Sequence, residues 1–159
     1  MPQHVYLPIR NPPNWWDRVL VHPLAHAIAV IATVFGVLMT LAYPITGQVP
    51  SPAFNNVPWW LNFGAGAFLL LGGVLVVVGI HWVGTNVSTG WKAELGGWTL
   101  TTGGLAAVAI AFAAGTSPAA WLIPGILTLG SLIRWWALTL IIKTARAKAA
   151  TNATPGRDA

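Results

Sequence analysis

The chain has 159 residues, of which 55% are hydrophobic and only 7% charged, with a formal charge of +5. A soluble domain typically carries about 25% charged residues, so this chain could not cover a globular surface with groups that water accepts. The absence of cysteine excludes disulfides, zinc–thiolate centres and a thiol nucleophile, and cations flanking apolar runs set membrane topology more often than they bind nucleic acid.

The first 23 residues form a polar leader containing His4, Arg10, Arg18 and the pair Trp15-Trp16. An apolar run follows at 24–43. It is longer than the h-region of a signal peptide, which points to an uncleaved membrane anchor. His22 and His26 stand four apart at its start. Residues 44–63 contain Pro44, Pro50, Pro52 and Pro58, which predicts an irregular loop because proline removes backbone donors and fixes φ. That loop ends in Trp59-Trp60-Leu61-Asn62-Phe63, suited to an interface.

Further apolar runs lie at 64–83, which includes His81, at 95–114, and at 119–142, which includes Arg134. Each approaches the ~20 residues a helix needs to cross hydrocarbon. Residues 143–159 read as a basic flexible tail. The fold class is therefore all-α: a four-helix transmembrane bundle between a leader and a tail.

The basic residues fix an orientation. Apart from Arg134 they lie before the first run, between the second and third, and after the fourth, while 44–63 and 115–118 carry no charge. The positive-inside rule then places both termini and the middle loop in the cytoplasm. Trp15, Trp16, Trp59, Trp60, Trp91 and Trp98 fall near the ends of the runs and read as interfacial anchors.

Thr99, Gly103, Ala107, Ala111 and Gly115 recur every four residues and read as one smooth face for close helix packing, within the chain or between copies. Arg134 is a cation inside a span, which favours a partner or a cavity. Residues 115–118 are too few to separate the last two helices, so these form an antiparallel hairpin. Pairing Ala114 with Ala119 sets Arg134 level with Thr99, and Glu94 lies about 7.5 Å further along the axis. An intramembrane Glu94–Arg134 ion pair is therefore expected. It reads as a clasp on the hairpin; a polar constriction or proton-linked switch is a second reading, and a snorkelling Arg134 with Glu94 paired to Lys92 a third.

Matching Leu24 to Val83 brings His26 level with His81, a pair that could hold a haem iron axially. The alternative is two amphipathic residues at an interface, and no cofactor or metal is assigned. No P-loop, HExxH, GxSxG or paired aspartates occur, and three acids in all give general acid–base chemistry few players. An enzyme is not expected.

Four spans, a basic tail, small-residue faces and little chemistry together resemble the holins of bacteriophages. These are small polytopic proteins that oligomerise and breach the inner membrane so that a lytic enzyme reaches the cell wall. The resemblance is one of architecture and carries no family residues across. It implies location in a bacterial host's cytoplasmic membrane, with partners limited to the lipid bilayer and to further copies or another membrane protein. A non-catalytic accessory subunit of a larger membrane complex is the alternative, followed by a haem- or ion-handling protein.

Overall fold

The computed structural model describes residues 19–82, 87–115 and 119–152. All regular structure among them is helical: α1 (Pro23–Thr46), a 3-10 turn (Pro52–Phe54), α2 (Trp59–Ile80), α3 (Val87–Gly115) and α4 (Leu122–Asn152). All four long helices are long and apolar enough to cross a membrane. They run up and down, each packed on the next in sequence, and α1 barely meets α4.

Local chemistry sets several of the helix ends. Pro23 opens α1, where a missing N–H is harmless. Gly47 closes it in the left-handed region at φ 68°, its N–H donating to the Tyr43 carbonyl. Pro44 stands inside the last turn of α1, and Pro58 caps the start of α2. Threonine hydroxyls in the apolar helices turn back on their own backbone. Thr33, Thr40 and Thr139 each donate to the carbonyl four residues earlier, at 2.8–2.9 Å, so these donors need no water.

Seams of small residues hold α1, α2 and α3 together. A Cβ on Gly72 would stand 2.7 Å from the Thr101 nitrogen, one on Gly79 2.5 Å from the Glu94 nitrogen, and one on Gly97 2.6 Å from the Val76 nitrogen. Between α1 and α2, a Cβ on Gly73 would stand 2.6 Å from the Ala29 oxygen, and Gly36 lies against the Leu70 backbone. The spacing along each seam is seven: Gly90, Gly97, Gly104 and Ala111 on α3, and Gly66 and Gly73, then Gly72 and Gly79, on α2. Seven residues return to nearly the same face of a helix, drifting only ~20°, so one seam faces one neighbour along several turns. Removing side chains there lets backbones touch and gains dispersion contact.

Helix α4 is attached differently. Only 11% of its most apolar window is covered by the rest of the chain, against 39% for α1 and α3. Ile123, Ile126, Leu129, Leu132, Ile133, Trp136 and Leu140 all face outward. Its links to α3 are polar as well as apolar: Thr102 Oγ1 donates to Ser131 Oγ at 2.9 Å, and Leu138 is buried.

The largest departures from the expected boundaries lie in α2, α3 and α4. Helix α3 begins at Val87, eight residues before the expected 95, because Ser88, Thr89, Lys92 and Glu94 are polar without being helix breakers. Helix α4 continues to Asn152, so the first ten residues of the expected flexible tail, rich in Ala, Lys and Arg, are helical. Helix α2 starts at Trp59 and ends at Ile80, so the expected loop tail from Trp59 to Phe63 is its first turn and a half.

The proline-rich segment is also more ordered than expected. Ala53 and Phe54 are buried, Phe54 meets Phe112 edge-on, and the Asn62 side chain donates to the Phe54 and Val57 carbonyls.

Candidate functional site: a buried ion pair at one end of the bundle

The start of α1, the end of α2, the first turns of α3 and the middle of α4 meet at one end of the bundle. Glu94 lies on α3 and is 5% exposed. Its Oε1 accepts from Arg134 Nη2 at 2.7 Å, from Arg134 Nε at 3.1 Å and from Trp98 Nε1 at 3.3 Å. One carboxylate oxygen thus takes three N–H groups, two of them from a single guanidinium edge. The arginine side chain is 25% exposed, against 6% for the glutamate, so the acid is the member that depends on its partner. Charge-assisted bonds of this kind are the strong ones.

Trp98 belongs to this cluster. It is fully buried, not an interfacial anchor as its sequence position suggests. With α3 starting at Val87, Trp98 sits three turns into the helix, one turn beyond Glu94 and on the same face. The other aromatic residues fall differently. Trp59 and Trp60 are each 59% exposed at the start of α2, with Trp59 stacked on Tyr43, and Trp91 is half-buried. Trp15 and Trp16 lie outside the described residues.

A cleft of about 300 Å³ opens beside the pair, between the start of α1 and the middle of α4. Trp98 and Arg134 line it together with His22, Leu24, Ile28 and Ile133. Burial lowers the His22 pKa, the positive charge of Arg134 lowers it further, and Glu94 only partly opposes them. Imidazole at this position is held towards its neutral form.

His26 and His81 meet as the register suggested, their ring centroids 4.9 Å apart and edge-to-face. That contact is not the arrangement of two axial haem ligands. Axial ligation by two imidazoles needs the porphyrin plane between them, and rings in direct contact leave no gap. Each Nδ1 donates to the carbonyl four residues earlier, His26 to His22 at 2.8 Å and His81 to Val77 at 3.0 Å. These bonds fix both rings as parts of helix ends. Among the described residues no three His, Cys, Asp or Glu side chains converge to hold a metal ion.

The expected four-residue stripe does not form one face. Thr99, Gly103 and Ala107 are exposed, whereas Ala111 is buried and Gly115 sits against the Ala53 carbonyl. Four residues overshoot a helical turn by ~40°, so the row winds from the outside of the bundle to its inside over its length. The residues that carry the internal contact and were not singled out are Gly36, Gly66, Gly97 and Gly104. For Gly66, Gly97 and Gly104 the signal in the sequence is the seven-residue spacing, whereas Gly36 stands alone on α1.

Comparison of the chain with protein-family models, with curated proteins and with solved structures finds no match.

Proposed function

We propose that this chain is a holin-like protein. It is a four-span protein of a bacterial host's cytoplasmic membrane that self-associates and permeabilises that membrane for cell lysis, with no catalysis of its own. The observation that carries the proposal is the outward face of α3. Thr99, Gly103 and Ala107 are exposed there, and a Cβ on Gly103 would meet nothing closer than a Phe68 ring carbon at 3.9 Å. In lipid such a face lets a second backbone approach closely. Helix α4, mostly uncovered, offers a further apolar surface for assembly.

The charges agree with an orientation in which both termini and the α2–α3 connection face the cytoplasm. Lys92, Lys143 and Arg146 sit at the end of the bundle that holds the ion pair, while residues 47–58 at the other end are uncharged. The Glu94–Arg134 pair then serves as a clasp that lets α4 lie against α3 with an arginine at membrane depth.

Controlled expression in a bacterium, with membrane potential followed by a voltage-sensitive dye, tests the reading. The expected result is normal growth, then an abrupt collapse of potential once a threshold of protein has accumulated. Potential that stays intact at high membrane content contradicts it. Because the chain has no native cysteine, Gly103→Cys can report self-association directly. Cross-linking between copies supports the proposal, and cross-linking only to a different protein points to an accessory subunit.

A further inference from the structure

We infer that the cleft between the first turns of α3 and the last third of α4 binds the phosphodiester headgroup of an acidic membrane lipid. This rests on the four helices being membrane spans and is independent of pore formation. The cleft has a volume of about 180 Å³ and is lined by Ser88, Trp91 and Lys92 from α3 and by Ile142, Ala145 and Arg146 from α4.

Its chemistry is two-sided. Lys92 and Arg146 are exposed cations contributed by different helices. Among the described residues neither has a carboxylate partner, because the one acid there is Glu94 and its bonded oxygen is engaged by Arg134 and Trp98. The neighbouring charge of Arg134 is therefore already balanced, and the attraction for an anion belongs to Lys92 and Arg146. The positive end of the α3 macrodipole lies in the same turns and adds to it.

The remaining wall is apolar. Ile142 and Ala145 line the cleft, and Ile141, one turn before Ala145, is exposed beside them. A free phosphate would use only the cationic rim, whereas a phospholipid uses both the rim and the apolar wall. Trp91 sits at the boundary between them, as an amphipathic ring does at a headgroup region. Basic pockets between spans on the cytoplasmic side are where acidic lipids bind.

The test uses the full chain in a neutral detergent, with thermal unfolding followed as lipid is added. Phosphatidylglycerol should raise the midpoint, while phosphatidylcholine and inorganic phosphate at matched concentration should not. Lys92→Gln with Arg146→Gln should keep the midpoint measured without lipid and weaken the response to phosphatidylglycerol on the order of tenfold or more. Lys143→Gln, a cation on α4 outside the cleft lining, should retain most of the response.

Equal responses to the two lipids would overturn the inference in favour of unspecific apolar coverage, and an equal response to phosphate would overturn it in favour of a simple anion site. An equal loss in Lys143→Gln would show diffuse surface charge instead. Should the double substitution fail to fold, Lys92→Arg with Arg146→Lys takes its place. Loss of the phosphatidylglycerol response in that charge-preserving variant contradicts the site.

Discussion

Glu94 and Arg134 are forty positions apart in the chain, and the Arg134 guanidinium rests on a single carboxylate oxygen of Glu94, 2.7 Å from Nη2 and 3.1 Å from Nε. The two ends of this contact are unequally placed, since the acid is buried and the base partly exposed. That inequality gives the substitutions an order. Arg134→Leu strands a buried carboxylate and should cost ~3–5 kcal/mol of stability. Glu94→Gln leaves an arginine that can move towards the interface and should cost less. The double variant should recover most of the loss, because a buried pair replaced as a whole is often near neutral. Unfolding midpoints in detergent for the two single variants and the double variant check all three.

Neighbouring glycines separate packing from helix propensity. Gly97→Ala would place its Cβ 2.6 Å from the Val76 backbone nitrogen. Two helices would have to part, at a cost of ~1–3 kcal/mol. Gly96→Ala meets nothing within 4 Å and should be neutral or stabilise by up to ~1 kcal/mol through helix propensity. Opposite signs at adjacent positions, measured by thermal unfolding, are the expected result.

This pair of glycines also marks how far the sequence could be read. The four apolar runs are visible by hydropathy, and the register of α3 on α4 follows from the short connection between them. Pairing Ala114 with Ala119 places Thr102 opposite Ser131, and these two residues are hydrogen-bonded. The internal seams were harder to see because Gly and Ala are frequent everywhere in this chain. Spacings of four and of seven both occur, and only the second keeps to one face over several turns. Helix ends were hidden for another reason. Hydropathy measures which residues suit lipid, and Val87–Glu94 and Lys143–Asn152 are helical without being apolar. The burial of Trp98 followed from the earlier start of α3 and could not be seen without it.

Thr101 carries the opposite lesson about polar groups. It is fully buried against Gly72, and its hydroxyl has no hydrogen-bond partner among the described residues. An unsatisfied buried hydroxyl costs ~1–3 kcal/mol, so Thr101→Val, nearly the same in shape, should raise the unfolding midpoint. A lowered midpoint would show that the hydroxyl has a partner in the assembled protein.

The pH dependence of stability should carry the mark of His22. Its folded-state pKa lies below the ordinary value of 6.5, chiefly through burial and then through Arg134. The unfolded chain therefore binds a proton more readily than the folded one. Stability contributed by the neutral ring is present above the unfolded pKa and is lost as pH falls below about 6.5. His22→Gln should flatten that part of the stability–pH curve while leaving the region above pH 7 unchanged. Unfolding midpoints between pH 5 and 8 for both proteins provide the check.

The central claim is that copies associate through the outward face of α3 and open the bilayer. Release of an entrapped fluorophore from liposomes bearing the purified protein tests it most directly, with Gly103→Leu/Ala107→Leu as the comparison. The wild-type chain should release dye, rising more steeply than in proportion to the protein-to-lipid ratio. The variant should remain inserted and helical yet lose most of the release, since two leucines would keep a second backbone from approaching this face. No release from the wild type at any ratio, or equal release from the variant, would contradict the account.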